Sequence, residues 1–402
     1  MAPRRVLLVV SGGIAAYKVP ELVRLFVGEG HEVRCVLTRE ARHFVSALVL
    51  QTLSGNPVRD ALFDAAEEGE IDHIALARWP ELIVVAPATA HLLARMSLGL
   101  ADDLATTLLL ATRAPVLVAP AMNVRMWEHP ATREHAERLR ERGVHFVGPE
   151  PGPLACGEEG PGRMAEPVRV AAEASLLLGP GTLRGRKVVV SAGGTQEPVD
   201  PVRVLSNRSS GKMGYAIAGE AARRGARVVL VSAPTALPTP AGVLRRDVKT
   251  ALEMRDALRE AVDGADILVM AAAVSDFRPA APRERKLKKE ELGGRDRIAL
   301  ELERNPDILA ELSAERPQLV VVGFAAETGD PVPSARRKLE AKRCDLMVAN
   351  DVSRAGAGFG VDTNAVSLVW PGGEVEELPV LDKREVARHL LDRIEKLLER
   401  RG

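Results

Sequence analysis

"RRVLLVVSGG" at Arg4–Gly13 and "RKVVVSAGG" at Arg186–Gly194 carry the same signal twice. Each is a short β-branched run that stops at Gly-Gly. A first parallel strand, buried on both faces and followed by a tight turn into a helix, has this form. Its recurrence predicts two α/β domains. The length of 402 residues agrees, since domains run to roughly 150 residues each. Between the two versions, "LLLGPGTLRGRK" (Leu176–Lys187) is rich in Gly and basic residues and reads as a linker. The boundary is placed near 180, giving domains 1–180 and 181–402.

Outward from these runs the pattern alternates. In the first half Val6–Val10, Glu32–Leu37, Leu82–Val85, Val116–Ala119 and Val144–Val147 read as strands. Helical periodicity separates them at Ala15–Gly28, Leu92–Thr112 and Ala131–Arg142. In the second half strands are expected near Val188 and at Arg227–Ser232, Ile267–Met270, Leu319–Val322 and Asp345–Val348. Helices are expected at Lys212–Arg224, Ala251–Val262, Pro333–Lys342 and Lys383–Arg400, and "AVSLVW" (Ala365–Trp370) opens a late hairpin. Strands alternating with helices predict parallel doubly wound sheets, here two Rossmann-like domains in tandem. Ligands in such sheets sit beyond the carboxyl ends of the strands, so motifs there carry the most weight.

Composition removes several classes. Apolar residues make up 46% and charged ones 27%, which excludes a disordered chain, and 34 Gly without a strict period exclude collagen. The 55 basic and 55 acidic residues cancel, so no global field favours nucleic acid or an anionic membrane. Cys35, Cys156 and Cys344 are far apart and odd in number, which fits neither a disulfide framework nor a CxxC zinc site. The apolar run Val6–Val10 ends short of the ~7–15 residues of a signal peptide. No stretch nears the ~18–20 of a membrane span. The expectation is a soluble, cytoplasmic protein without nucleic acid or membrane partners.

In the first half, "SGGIAAYK" (Ser11–Lys18) joins the first strand to its helix. Its glycines let a ligand approach the backbone, and a helix N-terminus favours an anion by ~0.3–1 kcal/mol. The GxGxxG fingerprint is absent, so a phosphate site and a plain tight turn both remain open. Thr38 ends the second strand, either as a helix cap or as a second hydroxyl near the same phosphate. His73 lies in the apolar-patterned "DHIALARW", where packing or surface placement is the ordinary role. "APATA" and "APAMNVRMW" present Thr89 and Asn123 at strand ends. "ACGEEGPGRM" (Ala155–Met164) is a Gly-rich loop in which Cys156 is either an inert small residue or the thiol of a moving lid.

Together His73, "PAMN" and "ACGxxGxGRM" resemble the homo-oligomeric flavin-containing cysteine decarboxylases, in the order and spacing of the phosphopantothenoylcysteine decarboxylase half of bifunctional coenzyme A enzymes. The resemblance covers nearly all of residues 1–178 and implies a flavodoxin-like domain. It implies FMN held between subunits by Ser11, Gly12, Gly13, Ile14, Thr38 and the Thr89 region. It further implies His73 as acid/base residue, Asn123 as holder of the substrate carboxylate and Cys156 as proton donor. Flavin would oxidise the cysteine side chain to a thioaldehyde, which can accept the electrons that a departing carboxylate leaves behind. His91 departs from the family, which commonly carries Asn or Asp there, and no role is assigned to it.

In the second half, "SSGKMG" invites a P-loop reading, but position 206 is Ser and Met213 follows Lys212, so the motif fails. The Gly-rich turn still offers backbone donors to phosphate. Asn207 within it either caps a turn or serves a site. "AAAVSDFRP" (Ala271–Pro279) brings Asp276 to a strand end, and "VGFAAET" (Val322–Thr328) follows another. "RERKLKK" (Arg283–Lys289) is a solvated basic run or a flap over phosphates. Lys338 and Lys342, four apart, share one helix face and suit a triphosphate better than a neutral substrate.

"SNRSSGKMG", "AAVxDxRP", "KLKK", "NPDILA", "VGFAAET" and "VANDVS" stand in the order of the phosphopantothenate–cysteine ligase half of the same enzymes, across residues 186–402. The resemblance implies a CTP-dependent ligase acting on 4′-phosphopantothenate and cysteine through an acyl-cytidylate. Asn207 would stabilise that intermediate and Lys286 would assist its formation. Asp276, Lys286, Phe324, Lys338 and Lys342 would contact the nucleotide. Mg2+ would shield the phosphates with few protein ligands, and no motif identifies those ligands. Relatives form trimers around the flavin site and pair their ligase halves, so a homo-oligomer, as large as a dodecamer, is implied. Two other readings compete: a flavin-binding regulatory protein that has lost catalysis, and an enzyme decarboxylating a C-terminal peptide cysteine. Intact His73, Asn123 and Cys156 oppose the first, and the fused ligase half opposes the second.

Overall fold

A computed structural model of the chain describes residues 3–62, 72–155, 157–288, 298–354, 356, 358 and 360–401. They form two compact units, Met1–Leu178 and Gly179–Gly402. Among the described residues no helix is long and apolar enough to cross a membrane.

The first unit is built on β1 (Arg5–Val10), β2 (Glu32–Leu37), β3 (Val58–Arg59), β4 (Leu82–Ala88), β5 (Val116–Pro120) and β6 (His145–Phe146). These make one sheet in the order β3-β2-β1-β4-β5-β6, with every neighbouring pair parallel. This is the Rossmann order, and setting aside the two-residue β3 leaves the flavodoxin order. The continuous apolar run of β1 follows from its central place. Val6, Leu8 and Val10 pack with Leu22 and Phe26 on one face, while Leu7 and Val9 pack with Leu108 and Trp127 on the other. The five apolar residues of β1, Val6–Val10, are fully buried, each contributing about 1.5–3 kcal/mol.

Three local expectations are corrected. The helix expected over Leu92–Thr112 is two helices, Ala90–Leu98 and Leu104–Ala111. Gly99 ends the first at φ 72°, and Asp103 caps the second by accepting from the Thr106 N–H at 2.7 Å. The helix expected from Ala15 opens as a 3-10 turn, Ile14–Lys18, before the α-helix Val19–Gly28. The Gly-rich stretch expected as a loop is an antiparallel hairpin of β7 (Glu150–Pro153) and β8 (Glu159–Arg163).

The second unit contains β9 (Lys187–Ala192), β10 (Gln196–Pro198), β11 (Val204–Ser206), β12 (Arg227–Ser232), β13 (Val243–Asp247), β14 (Ile267–Met270), β15 (Phe277–Pro279) and β16 (Leu302–Arg304). It continues with β17 (Val320–Glu327), β18 (Leu346–Asp351), β19 (Thr363–Asn364), β20 (Ser367–Val369), β21 (Val375–Glu377) and β22 (Leu381–Asp382). Eight of these form a sheet ordered β13-β12-β9-β14-β17-β18-β20-β21. The first six repeat the parallel order of the first unit, and the late hairpin adds β20 and β21 antiparallel.

Helix Lys212–Arg223 lies so close to β9 that a Cβ on Gly214 would come within 2.6 Å of Ala192 Cβ and 2.8 Å of Ser191 O. Alanine would gain about 1 kcal/mol of helix propensity, but the overpacking costs about 1–3 kcal/mol and the obstructing atoms are backbone and Cβ. The clash wins. Gly214→Ala is expected to lower the second unit's stability in urea unfolding; an unchanged midpoint would contradict this packing.

Candidate active sites

The first cleft opens beside β1 and β4, where the strand order reverses and doubly wound sheets bind ligands. Ser11 stitches the two turns together. Its Oγ donates to Pro87 O at 2.7 Å and accepts from the Thr89 N–H at 3.1 Å. Thr89 in turn caps the helix Ala90–Leu98 by accepting from the Leu92 N–H at 3.3 Å. Ser11, Gly12, Gly13, Ile14, Thr38 and Thr89 all line this cleft of ≈ 720 Å³.

Two observations show that these residues suit a bound group. Thr38 is 8% exposed, and its Oγ1 is buried with no hydrogen-bond partner. Such a hydroxyl costs about 1–3 kcal/mol unless a ligand atom completes it. Gly12 provides the close approach, since a Cβ there would stand 2.3 Å from Glu40 Cβ and 2.9 Å from Glu40 C. Gly12→Ala is therefore expected to push apart the Ser11 and Thr38 segments and to abolish binding of the flavin that the sequence resemblance implies. A visible absorption spectrum of the purified variant reads this directly, and full flavin occupancy would refute it.

Asn123, at the end of β5, caps the short helix Val124–Glu128 by accepting from the Arg125 N–H at 2.8 Å. Its Nδ2 donates to Glu158 Oε2 at 2.6 Å, reaching across to the hairpin. Lys18, which the sequence reading missed, is buried in the cleft wall. Its Nζ donates to Met164 O at 3.3 Å and to Glu166 Oε1 at 2.9 Å, tying the first turn to the end of the hairpin. His91 and Arg95 also line the cleft, with Arg95 Nη1 3.2 Å from His91 Nε2. Because a guanidinium only donates, this contact is a hydrogen bond only when the ring nitrogen accepts. His73 begins the helix Asp72–Arg78, half-buried, and does not line the cleft of its own chain. Cys156 lies outside the described residues.

The second cleft, of ≈ 1020 Å³, opens beyond the carboxyl ends of β14, β17 and β18. Asn207, Asp276, Phe324, Lys338 and Lys342 line it; Lys286 is exposed and does not. Gly193 (φ 82°) and Gly211 (φ 75°) take left-handed conformations around its Gly-rich turn. The helix Lys212–Arg223 begins there with no acidic residue in its first turn, leaving its N–H groups to an anion. Asn207 Nδ2 donates to Val274 O at 3.1 Å, placing its amide against the β14 end.

The cleft lysines face internal carboxylates. Lys338 Nζ stands 2.7 Å from Glu327 Oε1, and Ser334 Oγ donates to the same oxygen at 2.7 Å. Those two contacts hold the Glu327 carboxyl below its ordinary pKa. Lys342 pairs with Asp307 at 3.2 Å and Lys212 with Asp362 at 2.7 Å. Lys383 lines the cleft while only 8% exposed, donating to Val361 O. Burial and the neighbouring Lys212 charge lower its pKa. Lys383 was missed because a lysine at a helix start is an ordinary surface residue in any sequence. No group of three or more His, Cys, Asp or Glu side chains among the described residues could hold a metal ion.

Two Rossmann-type units, one whose cleft holds the buried, unpartnered Thr38 hydroxyl and one whose cleft is lined by lysines, define a two-site α/β protein. Residues 1–175 match the flavoprotein family, and residues 183–398 match the DNA/pantothenate metabolism flavoprotein C-terminal domain. The chain belongs to the family of coenzyme A biosynthesis bifunctional proteins. It is 47% identical over 401 residues to the coenzyme A biosynthesis bifunctional protein CoaBC of Vibrio vulnificus strain YJ016, covering 99% of each chain. It is 46% identical over 398 residues to that of Escherichia coli strain K12, covering 98% of this chain and 97% of the other. A crystal structure of the C-terminal domain of such a protein is similar to 55% of this chain and 98% of its own, at 39% identity and a TM-score of 0.46.

Proposed function

We propose that the chain performs two successive steps of coenzyme A biosynthesis, ligation by residues 181–402 and decarboxylation by residues 1–180. The observation that carries this reading is 47% identity spanning 99% of the chain with a bifunctional coenzyme A biosynthesis protein. In the ligation, the carboxylate of 4′-phosphopantothenate attacks the α-phosphate of CTP, giving an acyl-cytidylate and pyrophosphate. The amine of cysteine then displaces CMP to form the amide. Negative charge moves onto phosphate oxygens in the first step, so positioned cations lower its barrier. Lys286 supplies one, and Lys338 and Lys342 hold the triphosphate after exchanging Glu327 and Asp307 for phosphate oxygens. Asn207 donates hydrogen bonds to the acyl-cytidylate without competing as a nucleophile. Mg2+ would be held chiefly by the phosphates and its own waters, which demands no built protein cage.

In the decarboxylation, FMN in the first cleft supplies a reversible two-electron oxidation of the cysteine side chain. The protein orients and protonates. Thr38 Oγ1 and the Ser11–Ile14 backbone take the cofactor's polar groups. Asn123 binds the substrate carboxylate, a role supported by the carboxylate of Glu158 that its amide already holds at 2.6 Å. His73 acts as acid/base, reaching the reacting group from a neighbouring subunit, and Cys156 returns the proton to carbon. Ile14 and Tyr17 line the cleft yet are 61% and 64% exposed, which supports closure by a second subunit. Trimeric contacts through the first unit and dimeric contacts through the second complete the assembly.

The deciding experiment records the visible spectrum of the purified protein. It then adds 4′-phosphopantothenate, cysteine, CTP and Mg2+ and follows products by mass. Flavin absorption with CMP, carbon dioxide and 4′-phosphopantetheine is expected. A yellow protein that consumes no CTP would overturn the ligase half, and a colourless one that makes only the cysteine amide would overturn the flavin half.

A further inference from the structure

Asp200 sits in the turn of the β10–β11 hairpin and is 2% exposed. Its Oδ1 accepts the N–H groups of Val202 and Arg203, each at 2.8 Å. That is all a capped turn requires. Its Oδ2, however, accepts the N–H of Leu287 at 3.1 Å, 87 residues along the chain, and Arg203 Nη1 at 2.6 Å. The same Nη1 donates to Leu287 O at 3.1 Å. The ion pair therefore holds both peptide groups of one residue in the basic run. A third tie, from the Arg283 N–H to Val199 O at 3.0 Å, holds the start of that run to the same turn.

The gripped residue is informative. Leu287 is 7% exposed, whereas Lys286 and Lys288 on either side are exposed. The run is thus pinned at its one apolar position, and its lysines stand off a fixed point. The hairpin that does the pinning ends at Ser206, and Asn207 follows directly. One buried carboxylate links the segments that carry both groups assigned above to the acyl-cytidylate.

We propose that Asp200 is a positioning residue for ligation, holding Leu287 so that Lys286 is presented in a fixed relation to Asn207. This rests on the ligase reading given above. The carboxylate is suited to the task because it stays charged. Burial would raise its pKa, but the N–H groups of Val202, Leu287 and Arg203 and the Arg203 guanidinium outweigh this and bring it down to about 2. It keeps its full acceptor strength across the physiological range.

Asp200→Asn in the full-length protein is the test. Asparagine keeps the shape and the Oδ1 contacts, but it turns an NH2 donor toward the Leu287 N–H and the Arg203 guanidinium. Freed from its anchor, the run is expected to be cut by trypsin after Arg285 and Lys286 at least about tenfold faster. Single-turnover pyrophosphate release at saturating CTP is expected to fall by about 10²-fold, the usual consequence of a group displaced by an ångström. The flavin spectrum stays unchanged. Arg203→Lys keeps the charge but changes the length and geometry of the group that bridges Asp200 Oδ2 and Leu287 O, so it gives the same pattern to a smaller degree and guards against misfolding of the first variant. Because Asp200 acts through Lys286, adding Asp200→Asn to Lys286→Ala costs nothing further. Additive losses, or unchanged cutting, overturn the positioning role and leave the ligase reading intact. Wild-type ligation by Lys286→Ala overturns both.

Discussion

Full-length protein carrying Cys156→Ser is expected to release carbon dioxide from 4′-phospho-N-pantothenoylcysteine and to make almost no 4′-phosphopantetheine. Loss of the carboxylate needs only a place for its electrons, which the oxidised substrate supplies. The return step needs a proton delivered to carbon. A thiol of ordinary pKa, about 8.5, is mostly protonated at neutral pH and can deliver it. A serine hydroxyl in the same position is a far weaker acid. Removing a general acid costs about 10²–10⁴-fold, so the second half of the reaction should nearly stop while the first proceeds. Carbon dioxide and thiol products quantified from one reaction mixture measure the split. Full conversion to 4′-phosphopantetheine would remove Cys156 from the role of proton donor, and loss of carbon dioxide release would place it earlier in the reaction.

The parts of this molecule legible in sequence are those whose cause is local. Val6–Val10 reads as a central strand because burial on both faces requires an unbroken apolar run, and the structure buries all five residues completely. The repeat at Lys187–Ala192 announces the second sheet for the same reason. The turn after the first of these strands was legible as a cleft wall because doubly wound topology places the reversal of strand order there. Periodicity misled at Leu92–Thr112, where an apolar pattern runs across a real break. The local chemistry of that break was in view, with Gly99 suited to a left-handed cap and Asp103 placed to accept from Thr106. Glycine content misled in the opposite direction at 155–164, which belongs to a strand pair that tolerates Gly152, Gly160 and Gly162 because its ladder rests on backbone groups.

Nonlocal contacts were not legible at all. Nothing around Lys18 says that its ammonium is buried against Met164 O, and nothing around Asp200 points to Leu287. Both are consequences of the sheet bringing distant loops to one edge. The same distinction separates the proposed site residues. Residues in the strand-end turns, such as Ser11, Thr38, Asn207 and Asp276, line the clefts of their own units. His73 and Lys286 lie on segments that do not line those clefts, where sequence order fixes their neighbours along the chain but not the direction in which they reach.

That difference shapes the expected behaviour of the ligase variants. Asn207→Ala and Lys286→Ala, each in the full-length protein, are expected to cut ligation by about 10²–10³-fold, the range for removing one group that stabilises developing charge. Decarboxylation of supplied 4′-phospho-N-pantothenoylcysteine should stay at the wild-type rate, because neither residue belongs to the first unit. The two variants should fail differently. Without Lys286 the acyl-cytidylate forms slowly, so a burst of pyrophosphate on mixing with CTP is lost. Without Asn207 pyrophosphate still appears, but the intermediate is poorly held, and hydrolysis back to 4′-phosphopantothenate competes with attack by cysteine. Rapid-quench measurement of pyrophosphate, CMP and the cysteine amide separates these outcomes. Wild-type amide formation by both variants would sink the assignment of the second site. Loss of the pyrophosphate burst in Asn207→Ala would instead move that residue from holding the intermediate to making it, which its amide contact with Val274 O, 3.1 Å away at the end of β14, would then have to explain.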